Sequence, residues 1–226
     1  MTIRRIGLKT LIMVSTLLAM MTMLILMQKS SIFNPAMTFV LNAFASALIF
    51  LNIREGLRNA RKQSQKLADR GDEYLKNGKL HSARTCFQES LALNPDNTTA
   101  IMGLGNYHRI RKDYSTATEY YQQAVRIDPR SHMAHYLAGA CMQRIGDYTN
   151  AQEKLEKSIR LKPTFLDPYL PLTDIYLKRG DNKKAEECIK IFLKKPLDED
   201  VKTSIMEKLD HIISQEDKMK GEGIYC

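Results

Sequence analysis

The pattern of apolar and polar positions divides the chain into two parts. Two long uncharged stretches, Thr10–Gln28 and Ser30–Ile53, are dominated by apolar residues. Each is long enough to cross a hydrocarbon core of ~30 Å as a helix that rises ~1.5 Å per residue. Beyond them, apolar residues recur at helical spacing between polar ones, which is typical of amphipathic helices. We therefore expect a transmembrane hairpin with helices at about 8–28 and 33–53, followed by a helical domain that faces water.

A period of 34 residues runs through the second part of the chain. Pro95, Pro129 and Pro163 are each 34 residues apart. This spacing defines four units, numbered 1 to 4 here, at residues 64–97, 98–131, 132–165 and 166–199. A fixed period is the sequence signature of a repeat fold, in which stacked helix pairs bury apolar faces that no single pair could bury.

Three positions of the unit keep one kind of residue. The eighth is glycine in the first three units: Gly71, Gly105 and Gly139. The twentieth is alanine in all four: Ala83, Ala117, Ala151 and Ala185. The twenty-fourth is bulky: Phe87, Tyr121, Leu155 and Ile189. Small residues allow two antiparallel helices to approach closely, and the bulky residue fills the space between them and the next pair.

This pattern resembles the tetratricopeptide repeat family over residues 64 to about 199. The resemblance implies an all-α fold, a right-handed superhelix of four helix pairs. Unit 4 departs from the pattern, with Thr173 at the eighth position and with Pro168 and Pro171 in the first turn of its first helix. We expect Pro171 to distort the start of that helix.

The C-terminal segment continues the helical pattern beyond the repeats. Val201, Ile205, Leu209 and Ile212 recur at helical spacing. They predict an amphipathic capping helix over 200–214 that covers the last helix pair. The polar residues 215–226 are expected to be disordered.

The resemblance also implies a concave groove lined by the first helix of each pair. Carried onto this chain residue by residue, the protein-binding groove consists of Asp72, Met102, Asn106, Arg109, Tyr136, Gln143, Arg144, Asp174 and Lys178. Amide and guanidinium donors beside an aromatic ring suit an extended or helical peptide, with arginine binding a carboxylate or a backbone carbonyl. The alternative is that these residues are solvated helix faces.

The lysine–asparagine carboxylate clamp of chaperone-binding relatives is not reproduced in this sequence. Its positions carry Ala68, Asp72 and Met102. Binding of chaperone C-termini is therefore not expected.

Charge is concentrated at the N-terminal end. The chain has 34 Lys and Arg against 25 Asp and Glu, a formal net charge of +9. Residues 1–66 hold nine of the basic residues and a single acid, Glu55, so the repeat units are nearly neutral. A nucleic-acid-binding domain needs a basic face on its folded surface, so this distribution argues against nucleic acid as a partner.

The basic residues flank the apolar stretches unevenly. Arg4, Arg5 and Lys9 precede the first stretch, and only Lys29 lies between the two. The basic linker at 54–66 carries the remaining five, Arg54, Arg58, Arg61, Lys62 and Lys66. Because positive flanks tend to stay in the cytoplasm, we expect both chain ends and the repeats on the cytoplasmic side of a membrane, in particular a bacterial inner membrane.

The basic linker has two further interpretations. It could continue as a helix from the second span into the first repeat. Its five basic residues could also contact anionic lipid, at ~1 kcal/mol each. The start of the chain, Arg4 to Lys9, resembles the twin-arginine export motif, which leaves export of the repeats open as an alternative.

Patterns that carry catalysis do not occur in the sequence. It has no phosphate-binding loop, nucleophile elbow, HExxH motif or dinucleotide fingerprint. His132 and His135 have a spacing that could hold a metal, but no third ligand clusters with them. The cysteines Cys86, Cys141, Cys188 and Cys226 are scattered, without a CxxC pair. We expect no enzymatic activity, no cofactor and no metal.

The expected function is therefore that of a membrane-anchored adaptor or scaffold, which binds a protein partner within a membrane-associated assembly. The layout resembles the small inner-membrane repeat subunits of bacterial exopolysaccharide synthase complexes of the Pel type. The alternative is an exported, periplasm-facing assembly factor, similar in layout to the repeat proteins of cytochrome c maturation.

Overall fold

The computed structural model describes Thr22 and residues 35–221 of the chain. Within residues 35–221 all regular secondary structure is helical, which confirms the predicted all-α fold for this part of the chain. The helices are α1 (Pro35–Lys76), α2 (Leu80–Leu93), α3 (Thr98–Ile110), α4 (Tyr114–Ile127), α5 (His132–Arg144), α6 (Tyr148–Leu161), α7 (Tyr169–Lys178), α8 (Asn182–Phe192) and α9 (Glu199–Gly221).

The predicted membrane hairpin is only partly covered by the described residues. Its first helix, 8–28, lies outside them except for Thr22. From Pro35 onward, the predicted second helix and the predicted linker at 54–66 are one continuous helix, α1, of 42 residues. In the part of the chain that the structure describes, none of the helices combines the length and apolar character needed to cross a membrane.

The chain divides into two compact parts, with the boundary between Ala60 and Arg61. The first part contains the N-terminal section of α1, which exposes large apolar side chains. The second part contains the repeats, which begin in the last turns of α1.

Capping residues explain where the repeat helices begin. Asn97 and Ser131 precede the first helices of units 2 and 3, and their side chains accept hydrogen bonds from the backbone N–H of Ala100 and Ala134. Aspartates do the same for the second helices of three units: Asp113, Asp147 and Asp181. The turn inside each pair needs a residue with positive φ, which is Gly78, Gly146 and Gly180 in three units and Lys112 in unit 2.

In the first three pairs a bulky side chain packs against a glycine, as the repeat pattern predicts. A Cβ added at Gly105 would lie 2.6 Å from the ring of Tyr121, and one at Gly139 would lie 2.8 Å from Leu155. The ring of Phe87 lies between two glycines, because a Cβ at Gly71 would come within 2.5 Å of it and one at Gly103 within 2.3 Å. Phe87 therefore packs against its own unit and the next one at once.

Buried hydrogen bonds join the first helix to the second helix in units 1 and 3. Ser90 Oγ donates to the carbonyl of Ser64 at 2.8 Å, and Ser158 Oγ donates to the carbonyl of His132 at 2.8 Å. In unit 1, Asn97 Nδ2 also donates to Ser64 Oγ at 2.8 Å and to Ser90 Oγ at 3.2 Å. Since these groups are buried, each bond satisfies a polar atom that water cannot reach.

Unit 4 differs from the others at its start. Its first helix, α7, begins only at Tyr169 and has 10 residues. Pro168 occupies the N-cap position without a side-chain cap, and Pro171, which was expected to distort the start, lies inside the first turn of the helix. The eighth position holds Thr173, which is fully buried and donates to the Tyr169 carbonyl at 3.0 Å.

The capping helix is longer than predicted. Ile205 and Leu209 are buried against Ile189 and Phe192, as the amphipathic pattern indicates. Val201, however, is 46% exposed, so it does not belong to the buried face. The helix continues to Gly221, and residues 215–221 are therefore helical rather than a disordered tail. Residues 222–226 lie outside the described part of the chain.

Candidate protein-binding groove

The predicted groove residues lie on the first helices of the four units. Asp72 is on α1; Met102, Asn106 and Arg109 are on α3; Tyr136, Gln143 and Arg144 are on α5; Asp174 and Lys178 are on α7. Three side chains with positive charge, Arg109, Arg144 and Lys178, are exposed. The other six are partly buried, so each packs against neighbouring residues and still exposes part of its side chain to a ligand.

Asn106 is held in place by a residue from the second helix of its unit. The hydroxyl of Tyr121 donates to Asn106 Oδ1 at 2.8 Å. The Tyr121 ring is fully buried beside Gly105. Burial raises the pKa of Tyr121 well above its usual value, so the hydroxyl stays protonated and remains a donor. The Asn106 amide therefore keeps a fixed orientation, with its N–H groups available to a ligand.

Arg109 lies close to two tyrosines. Its positive charge acts on the hydroxyl groups of both Tyr121 and Tyr136 and opposes the effect of burial on their pKa values. Burial raises the pKa of Tyr136 and raises that of the nearby Cys141 to about 11, so these neighbours are uncharged at neutral pH. Among the described residues no carboxylate forms an ion pair with Arg109. The guanidinium thus keeps donors for an external acceptor.

An aromatic cluster lies next to Tyr136. The ring of Phe165, from the loop between units 3 and 4, meets Tyr136 edge-on at 5.2 Å and His132 edge-on at 5.1 Å. Edge-to-face contacts of this kind are favourable for aromatic rings. Burial and the neighbouring Lys162 lower the pKa of His132. All three rings are only partly buried, and one of them, Tyr136, lies near Arg109.

Units 3 and 4 are connected by polar contacts. Gln143 Nε2 donates to Asp174 Oδ2 at 3.5 Å, so two predicted groove residues contact each other. Asp167, beside Tyr136, forms an ion pair with Lys195. This part of the groove therefore carries acidic side chains as well as the basic Arg144 and Lys178.

The remaining predicted residues are less closely connected. Met102 packs against two apolar clusters, around Tyr121 and around Ile101, so most of its contacts are with the core. Asp72 lies near Asp69, and burial together with that like charge raises the pKa of Asp72. Arg144 and Lys178 occupy the last turns of α5 and α7, where a positive charge is favourable for the helix dipole. Neither forms an ion pair within the described residues.

Two residues of the site were missed by the sequence reasoning. Tyr121 was assigned to packing alone, although a tyrosine at a position that carries Phe, Leu and Ile in the other units signals a hydroxyl with a partner. Phe165 lies in a loop, outside the helical positions that define the groove, and its contact with Tyr136 had no signal in the period.

Metal binding is not indicated by the described residues. They contain no group of three or more His, Cys, Asp and Glu side chains that could hold an ion. His135, one of the two histidines considered above, is only 5% exposed, and its Nε2 donates to the Pro129 carbonyl at 3.2 Å. It is thus a packing residue.

The described helices define an α-helical repeat protein. Residues 68–132 match the family model of the tetratricopeptide repeat. The match covers most of unit 1 and all of unit 2.

The curated relatives match only part of this chain, and the match covers an even smaller part of their own length. The antiviral innate immune response effector IFIT1 of Macaca fascicularis is 28% identical over 168 residues, which cover 65% of this chain and 35% of that protein. The chain spans no more than 35% of the length of the first three curated relatives that it matches.

Two solved structures show the same fold. PilF of Pseudomonas aeruginosa has a TM-score of 0.60 at 19% identity, over 72% of each chain. The first tetratricopeptide domain of Spaghetti (RPAP3), bound to the HSP90 peptide SRMEEVD, has a TM-score of 0.51 at 19% identity, over 53% of this chain and 94% of that one.

Proposed function

We propose that this protein is a non-enzymatic tetratricopeptide adaptor that binds a protein partner through the groove on α3, α5 and α7. The observation that supports this most strongly is the environment of Arg109. Its guanidinium lies beside two neutral tyrosines and has no carboxylate partner among the described residues. An exposed cation held against aromatic side chains is well placed to bind an acidic group of another molecule.

The partner is proposed to be an extended or helical peptide with a carboxylate that reaches Arg109. The Asn106 amide can bond its backbone, and the rings of Tyr136 and Phe165 can cover an apolar side chain of the same peptide. The peptide seen in the Spaghetti (RPAP3) structure supports this class of partner. The HSP90 peptide itself is not the proposed partner of this protein, because Ala68, Asp72 and Met102 stand at the positions of the carboxylate clamp of chaperone-binding relatives.

Photocrosslinking tests the groove directly. A benzoylphenylalanine at Tyr136 is expected to capture a partner in cells, whereas the same group at Tyr120, on α4, should not. Adding Arg109→Glu and Arg144→Glu should abolish the Tyr136 crosslink, since both charges are reversed. The matched control is Arg126→Glu with Arg130→Glu, which reverses two exposed charges elsewhere. An unchanged crosslink in the groove variant would show that binding does not use these arginines.

We further propose that the N-terminal part attaches the protein to a membrane. The supporting observation is the exposure of Phe39, Phe44 and Phe50, which are 60–76% exposed, close to the basic residues of 54–66. Exposed aromatic and aliphatic side chains next to Arg and Lys favour contact with an anionic lipid surface. Replacing Arg54, Arg58, Arg61, Lys62 and Lys66 by Gln should reduce flotation with anionic vesicles but not abolish association through the apolar side chains.

A cytoplasmic location of the repeats, at a bacterial inner membrane and within an assembly such as a polysaccharide synthase or secretion complex, is part of this proposal. The uneven basic flanks support it. A fusion of alkaline phosphatase after Cys226 is expected to be inactive in bacteria. An active fusion would instead favour the alternative, an exported assembly factor.

A further inference from the structure

Two arginines converge on one buried tyrosine where unit 1 meets unit 2. Tyr107 of α3 is only 2% exposed. Arg111, at the end of α3, donates from Nη1 to the Tyr107 hydroxyl at 2.9 Å, and its Cζ lies 5.6 Å from the ring centre. Arg84, from α2, places its Cζ 5.9 Å from the same centre. One aromatic ring therefore positions two exposed guanidinium groups from different units.

The positive charges of the two arginines lower the pKa of the Tyr107 hydroxyl. The hydrogen bond from Arg111 is the main cause of a lowered pKa at Tyr107, and Arg84 contributes in the same direction. Both guanidinium groups thus lie within about 6 Å of the centre of the same ring, which places two positive charges in one part of the surface.

Carboxylates do not neutralise this pair. Among residues 35–221, neither Arg84 nor Arg111 forms an ion pair. The nearest acid along the chain, Asp113, is engaged elsewhere: it bonds to His108 Nδ1 at 3.0 Å and accepts from the Thr116 N–H at 3.3 Å. Each guanidinium has five N–H donors, and the bond to the Tyr107 hydroxyl uses one of those of Arg111. Two like charges held together in this way are stabilised by an anion.

We propose that Arg84 and Arg111, positioned by Tyr107, form a binding site for a phosphate group. A phosphate has enough oxygen atoms to accept hydrogen bonds from two guanidiniums at once, whereas a carboxylate is matched by one. None of the three residues belongs to the groove, so the site does not depend on the proposed peptide binding. The phosphate can come from a lipid headgroup or from a soluble compound.

Inorganic phosphate is the first probe. Titration of the full chain, followed by ³¹P NMR line broadening at constant ionic strength, is expected to show saturable binding. Arg84→Gln and Arg111→Gln should each weaken it about tenfold or more, because each removes one charged donor group. Tyr107→Phe should weaken phosphate binding less, since the aromatic ring remains and only the hydroxyl that orients Arg111 is removed. Arg126→Gln, which removes an exposed charge from α4, should leave binding unchanged.

Vesicles distinguish the two sources of phosphate. Flotation with phosphatidylcholine vesicles is compared with flotation after phosphatidic acid is added, for the wild type, the Arg84→Gln/Arg111→Gln variant and the Arg126→Gln control. A phosphatidic-acid-dependent gain that is lost only in the double variant assigns the site to a lipid headgroup. Saturable phosphate binding without that gain assigns it to a soluble compound. If neither probe distinguishes the double variant from the control, the proposal is wrong.

Discussion

The hydroxyl of Tyr121 donates a 2.8 Å hydrogen bond to Asn106 Oδ1. This bond connects a fully buried ring of the second helix of unit 2 to a side chain that faces the groove. Tyr121 therefore contributes both to the packing of unit 2 and to the proposed groove, and a change that removes only its hydroxyl should affect both.

Tyr121→Phe is expected to lower the free energy of unfolding by about 1 kcal/mol, because the Asn106 amide loses its partner while the ring stays in place. It should also weaken the Tyr136 photocrosslink, because Asn106 is no longer oriented. Urea unfolding measures the first effect. Tyr120→Phe, on the same helix, is the control. Equal unfolding free energies for the two variants would contradict this role of the hydroxyl.

Gly103→Ala is expected to destabilise the repeats by about 1–3 kcal/mol or more, because the new methyl group would overlap the Phe87 ring. Alanine normally stabilises a helix by up to ~1 kcal/mol relative to glycine, so the sign of the effect is the test. Gly56→Ala is the matched control, since a Cβ there meets nothing within 4 Å.

A smaller side chain at position 87 provides a second check of this packing. Phe87→Leu alone should be destabilising, because it leaves a cavity. Combined with Gly103→Ala it should cost less than the two single changes added together. Strict additivity in urea unfolding would mean that Phe87 and Gly103 are not in contact.

Asn97→Ala is expected to cost more stability than Ser131→Ala, although both residues cap the first helix of a unit. Loss of the cap alone costs ~1 kcal/mol. Asn97 additionally donates to Ser64 and Ser90, and its removal leaves buried hydroxyl groups with fewer partners. We expect a difference of about 1–3 kcal/mol in thermal or urea unfolding. A larger loss from Ser131→Ala would contradict the importance of the buried network.

His135 makes stability depend on pH. Burial is the main cause of its lowered pKa; Lys154 and Lys157 act in the same direction, while the bond to the Pro129 carbonyl and Glu153 oppose them. The unfolded chain therefore takes up a proton at higher pH than the folded one. The stabilising contribution is complete above a pH of about 6.5 and is lost as the pH falls below it, by at most about 1.4 kcal/mol per pH unit.

The buried Nδ1 of His135 has no hydrogen-bond partner among the described residues, so protonation would place an N–H where none of them offers an acceptor. His135→Gln should flatten the pH dependence of the unfolding free energy between pH 5 and 6.5. His81→Gln, which changes an exposed histidine, should not. His132 also has a lowered pKa and should leave a residual slope, which His132→Gln would remove.

The period of the sequence predicted the parts of the fold that repeat. Gly71, Gly105 and Gly139 all meet the bulky residue that the 34-residue spacing places opposite them. The period could not reveal Gly103, because its contact with Phe87 joins two different units and occurs once. The predicted end of the capping helix at residue 214 was too early for a similar reason. Residues 215–221 are helical but mostly polar, so no apolar pattern indicates that the helix continues.

The sequence predicted which helices carry the groove residues, but it did not predict which side chains those residues contact. The resemblance places Asn106, Arg109 and Tyr136 on neighbouring first helices, and the structure brings Arg109 and Tyr136 close together. The partners of these residues come from elsewhere: Tyr121 from a second helix and Phe165 from a loop. Such contacts depend on how neighbouring units pack, which a pattern within one unit does not contain.

The position of Phe87 between Gly71 and Gly103 makes the packing of one unit depend on the next. The Phe87 ring contacts both units, so the core of unit 1 is complete only when unit 2 is folded beside it. The equivalent pair in the following units is Tyr121 and Leu137, which pack in one cluster. A fragment that ends after unit 1 would therefore leave one side of the Phe87 ring without its packing partner.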